Sequence, residues 1–313
     1  FDSLIRFLDT NAEALRNTKD KGGLFLFFHS FGPHTPYLNH YPELVQNEGL
    51  LGTVMTITCD EYTGPMNQGG LIFDTDYTQH DVDYIKSVYE SEVIYTDRLV
   101  GDVLARYDWL GLYDSLNIVF TADHGESFRE NGRFEHGHGW ETCVRVPMIL
   151  RFPDRIEAGE RDSTSLVSIM DVMPTILDLA GATSPPNLTA SSLLGNREGT
   201  PTAEYGISED QRHGWLTLRD GQYKLLAENA GKRGAWIFDL PDAPTNYMLF
   251  NIVEDPLEQQ DLAESHPEEL QRLKDALMAH CAKYGIGSAE ETHETRSVSE
   301  ETIEALEALG YTQ

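Results

Sequence analysis

A run of strand formers, Asn117-Ile-Val-Phe-Thr121, gives way abruptly to Asp123-His124-Gly125. An apolar run of this length fits a strand buried on both faces, the kind found in a sheet covered by helices. A carboxylate and an imidazole then sit side by side at the strand's C-terminal tip, where open α/β sheets bind ligands. Asp oxygen and His nitrogen together suit a divalent metal ion. The glycine that follows lets the backbone turn sharply and pass close to an ion or anion. Asp123 and His124 are therefore candidate metal ligands.

The rest of the pattern alternates. Residues 1–17 read as a helix, and Leu24-Phe-Leu-Phe-Phe28 as a strand buried on both faces. Val82, Ile85, Tyr89, Val93, Thr96, Val100, Val103 and Tyr107 recur at three- and four-residue steps, which predicts a long helix with one apolar stripe. Strands follow at 117–121 and 146–152. A helix over 168–180 has the expected buried set Ile169, Val172, Ile176, Leu177 and Leu179. Alternation of this kind argues for an α/β fold with a mostly parallel sheet flanked by helices. Beyond a Ser-, Thr-, Pro- and Gly-rich stretch at 183–201 the pattern changes. Short strand candidates at 205–209, 215–219, 223–227, 235–239 and 248–252, then a helix at 267–283, predict a smaller antiparallel α+β subdomain. The expected divisions are 1–200, 201–286 and 287–313. The last is a mobile acidic tail with a short terminal helix at 300–309.

Charge narrows the partners. The chain carries 52 acidic and 23 basic residues, a net charge of −29. Such a field repels nucleic acid and anionic membranes, so neither is an expected partner. The longest apolar run is too short to span a bilayer. Of the basic residues 7 are Lys and 16 are Arg, and high acid with scarce Lys points to adaptation to high salt. Three cysteines, Cys59, Cys143 and Cys281, argue against a disulfide scaffold. The sequence opens at Phe1 inside a predicted helix and without Met, so a C-terminal piece of a longer protein is expected.

Three segments in order carry a resemblance. They are Leu24-Phe-Leu-Phe-Phe-His-Ser-Phe-Gly-Pro-His-Thr-Pro-Tyr37, Val119-Phe-Thr-Ala-Asp-His-Gly-Glu126 and His136-Gly-His-Gly-Trp-Glu-Thr-Cys-Val-Arg-Val-Pro-Met-Ile-Leu150. Together with Ile169-Met-Asp-Val-Met-Pro-Thr175, Asp220-Gly-Gln-Tyr-Lys224 and Leu249-Phe-Asn-Ile-Val-Glu-Asp-Pro256, they resemble the sulfatase family of the alkaline-phosphatase superfamily. The resemblance implies an alkaline-phosphatase-like fold and a metal-dependent sulfuric ester hydrolase. It implies Asp123 and His124 as ligands of one divalent cation. Calcium is the family's usual metal. An imidazole ligand makes Mn, Mg or Zn more plausible here than usual, because calcium prefers oxygen.

His34, held between Pro33 and Pro36, is implied as a catalytic and substrate-binding residue that binds the ester and assists its leaving oxygen. His138, with His136 second, is implied to contact the sulfuryl oxygens. His29, at the end of the first strand, is read as lining the substrate pocket or, alternatively, as packing in the core. Trp140, Glu141, Arg145, Asp171, Thr175 and Lys224 are expected to be architectural, with Arg145 paired to a carboxylate. Glu126 is expected to stand behind the ligands. The sequence departs from the family in one respect. It contains neither Cys-x-Pro-x-Arg nor Ser-x-Pro-x-Arg. The formylglycine nucleophile and the family's Asp-Asp pair are expected in a missing N-terminal part, leaving this piece inactive alone. The substrate would be a sulfated small molecule or glycan. Two alternatives are a phosphodiesterase, phosphonate monoester hydrolase or phosphoethanolamine transferase on the same scaffold, and a non-catalytic binding relative.

Overall fold

The computed structural model describes residues 1–17, 23–35, 37–41, 78–163, 165–185, 188, 190–194, 204–210, 214–229 and 245–284. The strand expected at 235–239, the terminal helix at 300–309 and Cys59 lie outside them.

The first predicted helix is two: α1 (Asp2–Thr10) and α2 (Ala12–Arg16), separated at Asn11. Leu4, Leu8 and Leu15 pack with Val103 and Leu110 of the long helix α3 (Gln79–Trp109) and its end. A capping box at Thr78 starts α3: its hydroxyl accepts from the Asp81 N–H, and the Asp81 carboxylate accepts from the Thr78 N–H. The other end of α3 buries Val82, Ile85 and Val88 against Tyr37, Phe128 and Phe134. The predicted stripe holds at Val82, Ile85 and Val103 but not at Val93, which faces solvent. Ser91 and Glu92 take buried positions because they bond the backbone of the 37–41 segment: Leu38 N–H donates to Glu92, and the His40 and Tyr41 N–H groups donate to Ser91.

β1 (Ile118–Thr121) pairs with β4 (Met148–Arg151), and the pairing is antiparallel. Between them lie the two-residue strands β2 (Ser127–Phe128) and β3 (Phe134–Glu135), which form a hairpin, and the one-turn helix α4 (Glu141–Val144). The mostly parallel sheet is thus corrected: among the described residues every strand pairing is antiparallel. The reason lies in the connection. A parallel neighbour needs a crossover that carries the chain back to the starting end, whereas this connection delivers β4 at the end where β1 stopped.

Leu24–Phe28 is corrected too. It is extended but joins no ladder among the described residues, and its side chains are exposed, Phe27 at 77%. An apolar strand is buried on both faces only when other strands flank it and helices cover it. No described element does this.

Past β4, a 3₁₀ turn at Ile169–Asp171 leads into α5 (Val172–Leu179). Asp171 and Thr175 organise this start as expected. The buried Asp171 carboxylate accepts from the N–H groups of Ser168 and Ser191. The Thr175 hydroxyl donates to the Asp171 carbonyl and accepts from the Leu193 N–H. Ile169, expected buried, is exposed on the outer side of the turn. Asp171→Ala is expected to cost about 1–3 kcal/mol, because two partly buried N–H groups lose a charged acceptor. Denaturant unfolding reads this directly.

The predicted antiparallel strands form one four-stranded sheet, β5 (Gly206–Asp210), β6 (Trp215–Arg219), β7 (Tyr223–Asn229) and β8 (Thr245–Asn251), in sequential order, with α6 (Pro267–Tyr284) on one face. Leu216, Leu218, Leu225, Ala227 and Leu249 point to α6, where Leu273, Leu277 and Cys281 meet them. The period-2 alternation sends Trp215, Leu226 and Phe250 to the other face, against Trp140. That second face adjoins the histidine-bearing loop described next.

Candidate active site

Three segments far apart in sequence supply the site. His29 and His34 lie on the stretch after Leu24–Phe28. Asp123 and His124 follow β1. His136 and His138 follow the β2–β3 hairpin. The turn after β1 is tight. The Gly125 N–H donates to the Cys143 carbonyl at 2.7 Å, and a Cβ on Gly125 would collide with the Thr142 carbonyl oxygen. Only glycine lets the two segments approach this closely.

Four of the six predicted residues form one chain of contacts. The rings of His124 and His136 stack with centroids 4.0 Å apart. His34 sits edge-on to both, 5.3 Å from His136 and 6.3 Å from His124. The Asp123 Oδ2 lies 3.8 Å from the Nε2 of His124. It lies equally far from the Nε2 of His29, which adds a fifth member. His138 is placed differently: it is buried two residues beyond His136.

The ring tautomers follow from the backbone. His34 Nδ1 lies 2.7 Å from the Thr35 carbonyl, and His124 Nδ1 lies 2.9 Å from the Gly125 carbonyl. A carbonyl can only accept, so each Nδ1 carries a proton and donates. The Nε2 atoms are the ones left for chemistry. In His124 this is the arrangement a metal-bound imidazole adopts, with one nitrogen tied to a backbone carbonyl and the other presented to the ion. The Asp123 side chain, 62% exposed, keeps Oδ2 beside that Nε2 while Oδ1 accepts from the His124 N–H. Oxygen and nitrogen donors of this kind fit a divalent cation as half a coordination sphere. Among the described residues no group of three or more such side chains is arranged to hold a metal.

Glu126 stands beside His136. Its side chain is buried, and its Oε1 lies 3.5 Å from His136 Nδ1. This contact raises the imidazole's pKa, against the opposing effect of burial, with Glu135 and Asp123 adding smaller contributions. His138 goes the other way. Burial pushes it down to about 4, helped by the nearby Arg133 cation. Its ring nitrogens make no hydrogen bond of normal geometry among the described residues. The two histidines of one loop thus shift in opposite directions, His136 toward its charged form and His138 toward its neutral form.

The expected architectural residues divide. Arg145 is exposed, and no carboxylate pairs with it among the described residues. Glu141 and Lys224 instead form a buried ion pair at 3.1 Å, and Glu258 lies 2.7 Å from the same ammonium. Sequence reasoning passed over Glu258. The available signal was Lys224 inside the apolar strand Tyr223-Lys-Leu-Leu-Ala227: a charge in such a run needs a buried partner.

Comparison with known proteins supports the same reading. A family profile described as Sulfatase matches residues 2–182, and one described as N-sulphoglucosamine sulphohydrolase, C-terminal, matches residues 129–279. The chain is 28% identical over 206 residues to arylsulfatase K of Mus musculus, covering 61% of this chain and 35% of the relative. It is 32% identical over 144 residues to an N-acetylglucosamine-6-O-sulfatase of Bacteroides thetaiotaomicron, covering 45% of this chain and 25% of the relative. It therefore spans about a third or less of these curated relatives. Among solved structures, one determined in complex with its substrate D-glucosamine-2-N,6-O-disulfate superposes with a TM-score of 0.57 at 22% identity, covering 68% of this chain and 43% of that one. The phosphonate monoester hydrolase of Agrobacterium radiobacter gives 0.54 at 19% identity, covering 66% and 43%. These likenesses show that the chain shares the fold of those solved structures over the residues covered. With more than half of its residues matched by the family profile, the chain belongs to the sulfatase family.

Proposed function

We propose that this chain carries the distal part of the active site of a metal-dependent sulfuric ester hydrolase acting on a sulfated glycan or small molecule. The observation that supports it most is the meeting of His34, Asp123, His124 and His136 from three separate segments. Asp123 Oδ2 and His124 Nε2 would hold one divalent cation, which when bound neutralises the nonbridging oxygens of a sulfate ester. The remaining chemistry belongs to the imidazoles. His136, whose charged form Glu126 favours, orients the anionic ester. His34, fixed through Nδ1, directs Nε2 at the ester and, in its doubly protonated form, gives the Nε2 proton to the leaving oxygen and is left as the neutral Nδ1–H imidazole. His29 closes the pocket beside Asp123. His138, buried and neutral, supports the loop and is the second contact to the sulfuryl group once substrate reaches it.

The nucleophile lies outside this sequence in the same reading, because neither Cys-x-Pro-x-Arg nor Ser-x-Pro-x-Arg occurs in it. The 313 residues alone are expected to bind metal but turn over no sulfate ester. Calorimetry with Mn²⁺ tests the first half. Asp123→Ala and His124→Ala should each weaken binding by at least about tenfold, and unchanged affinity would remove the metal assignment. Metal-dependent hydrolysis of an aryl sulfate by the isolated chain would overturn the second half. Preferential turnover of a phosphate or phosphonate ester by a nucleophile-bearing form would move the substrate class to those esters on the same scaffold.

A further inference from the structure

The His136–Glu141 loop is not free-standing. It lies flat on the face of the C-terminal sheet opposite α6. Trp215 Nε1–H donates to the Gly137 carbonyl at 2.9 Å, between the two histidines. Gly139, next after His138, is pressed onto the same strands. A Cβ there would come within 2.5 Å of Leu226, 2.7 Å of Thr217 and 3.0 Å of Trp215. Beyond Trp140 the contact becomes ionic. Lys224, with no exposed surface, places Nζ 3.1 Å from Glu141 Oε1 and 2.7 Å from Glu258 Oε1. Glu258 accepts from the Glu141 N–H at 2.6 Å through its other oxygen. Arg219 reaches the second oxygen of Glu141 at 3.1 Å. Glu258 does this from a left-handed backbone, φ +54°, a conformation a glutamate holds only when its surroundings fix it. Trp215, Thr217, Arg219, Lys224 and Leu226 alternate correctly along β6 and β7 to share this one face.

We propose that Trp215, Lys224 and Glu258 are positioning residues that set where His136 and His138 point. The C-terminal subdomain is then part of the catalytic apparatus and not only a neighbour of it. The inference rests on the reading that this loop faces the sulfuryl group. Hydrogen bonds and a buried ion pair hold a loop in one place more narrowly than apolar contact does, because each has a preferred distance and direction. A buried carboxylate pair sharing one ammonium also resists displacement, since any shift strands a charge.

The test uses inorganic sulfate as the probe and the full chain as the protein. Sulfate affinity is measured by titration while the ring signals of His136 and His138 are followed by NMR, well below each variant's melting temperature. Trp215→Phe and Glu258→Gln should weaken sulfate binding by about fivefold or more and move both ring signals, with Lys224→Arg retaining most of the affinity. His136→Ala serves as the control for the site itself. Unchanged affinity and ring signals in folded Trp215→Phe and Glu258→Gln, with affinity lost in His136→Ala, would overturn the positioning role and leave the site intact. Unchanged affinity in both His136→Ala and His138→Ala would overturn the reading of the loop, and the positioning role with it.

Discussion

Lys224→Met is expected to destabilise the chain by about 3–5 kcal/mol. The side chains are of similar length, so the loss is not one of volume. The variant leaves Glu141 and Glu258 facing one another without the ammonium, both buried. Glu258 already holds its proton more tightly than an ordinary glutamate, because burial outweighs the help of Lys224 and of the Glu141 N–H. Without Lys224 burial would favour the uncharged form of that carboxyl further, and Glu141 keeps Arg219 as a partner, which together cap the loss. Thermal unfolding should show a fall of about 10 °C. Adding Glu258→Gln to Lys224→Met should recover part of it, since the two changes remove one interaction and are not additive. A melting temperature within about 2 °C of the parent would show that water reaches the pair and that no charge is stranded.

The second large effect is on acid stability and centres on His138. Its pKa in the folded chain is about 4, against 6.5 for an unperturbed histidine. As pH falls, the unfolded chain takes up this proton first. Stability from this group is therefore full above pH 6.5, declines between pH 6.5 and 4, and levels off below. The full window corresponds to at most about 3 kcal/mol. His138→Gln cannot titrate, so the stability difference between parent and variant should shrink or reverse as pH is lowered across that window. A difference independent of pH would mean that the buried ring finds a proton acceptor in the folded state. His136 should behave in the opposite sense, because Glu126 favours its charged form.

Much of this was legible before any coordinate. The apolar run ending at Asp123-His124-Gly125 announces a strand tip, and β1 ends at Thr121, just ahead of it. The stripe from Val82 to Val103 announces α3, and the short alternating runs beyond residue 204 announce an antiparallel sheet with a helix; four of the five expected strands fall among the described residues. Spacing suffices in these cases because each element's own periodicity decides its buried face. The candidate site was legible as residue types in motifs: proline-bounded His34, the Asp-His pair and the His-Gly-His loop.

Other features are invisible at that level. Leu24–Phe28 has the composition of a buried strand, yet burial is a property of its neighbours, and among the described residues no strand pairs with it and its side chains stay exposed. The direction of β4 relative to β1 depends on where the intervening chain emerges, which no local pattern encodes. His136 and His138 look equivalent two residues apart. Only the fold brings Glu126 to one and buries the other near Arg133, and so shifts them in opposite directions. The same holds for Lys224. Its strand position follows from the sequence, but its partners come from residues 141 and 258, brought together only when the C-terminal sheet docks on the histidine loop. By itself, then, the sequence determined which residues could do chemistry and which elements would carry them. The tertiary structure decided which of them meet and which are shielded from water, because contact and dielectric environment arise between segments and not within them.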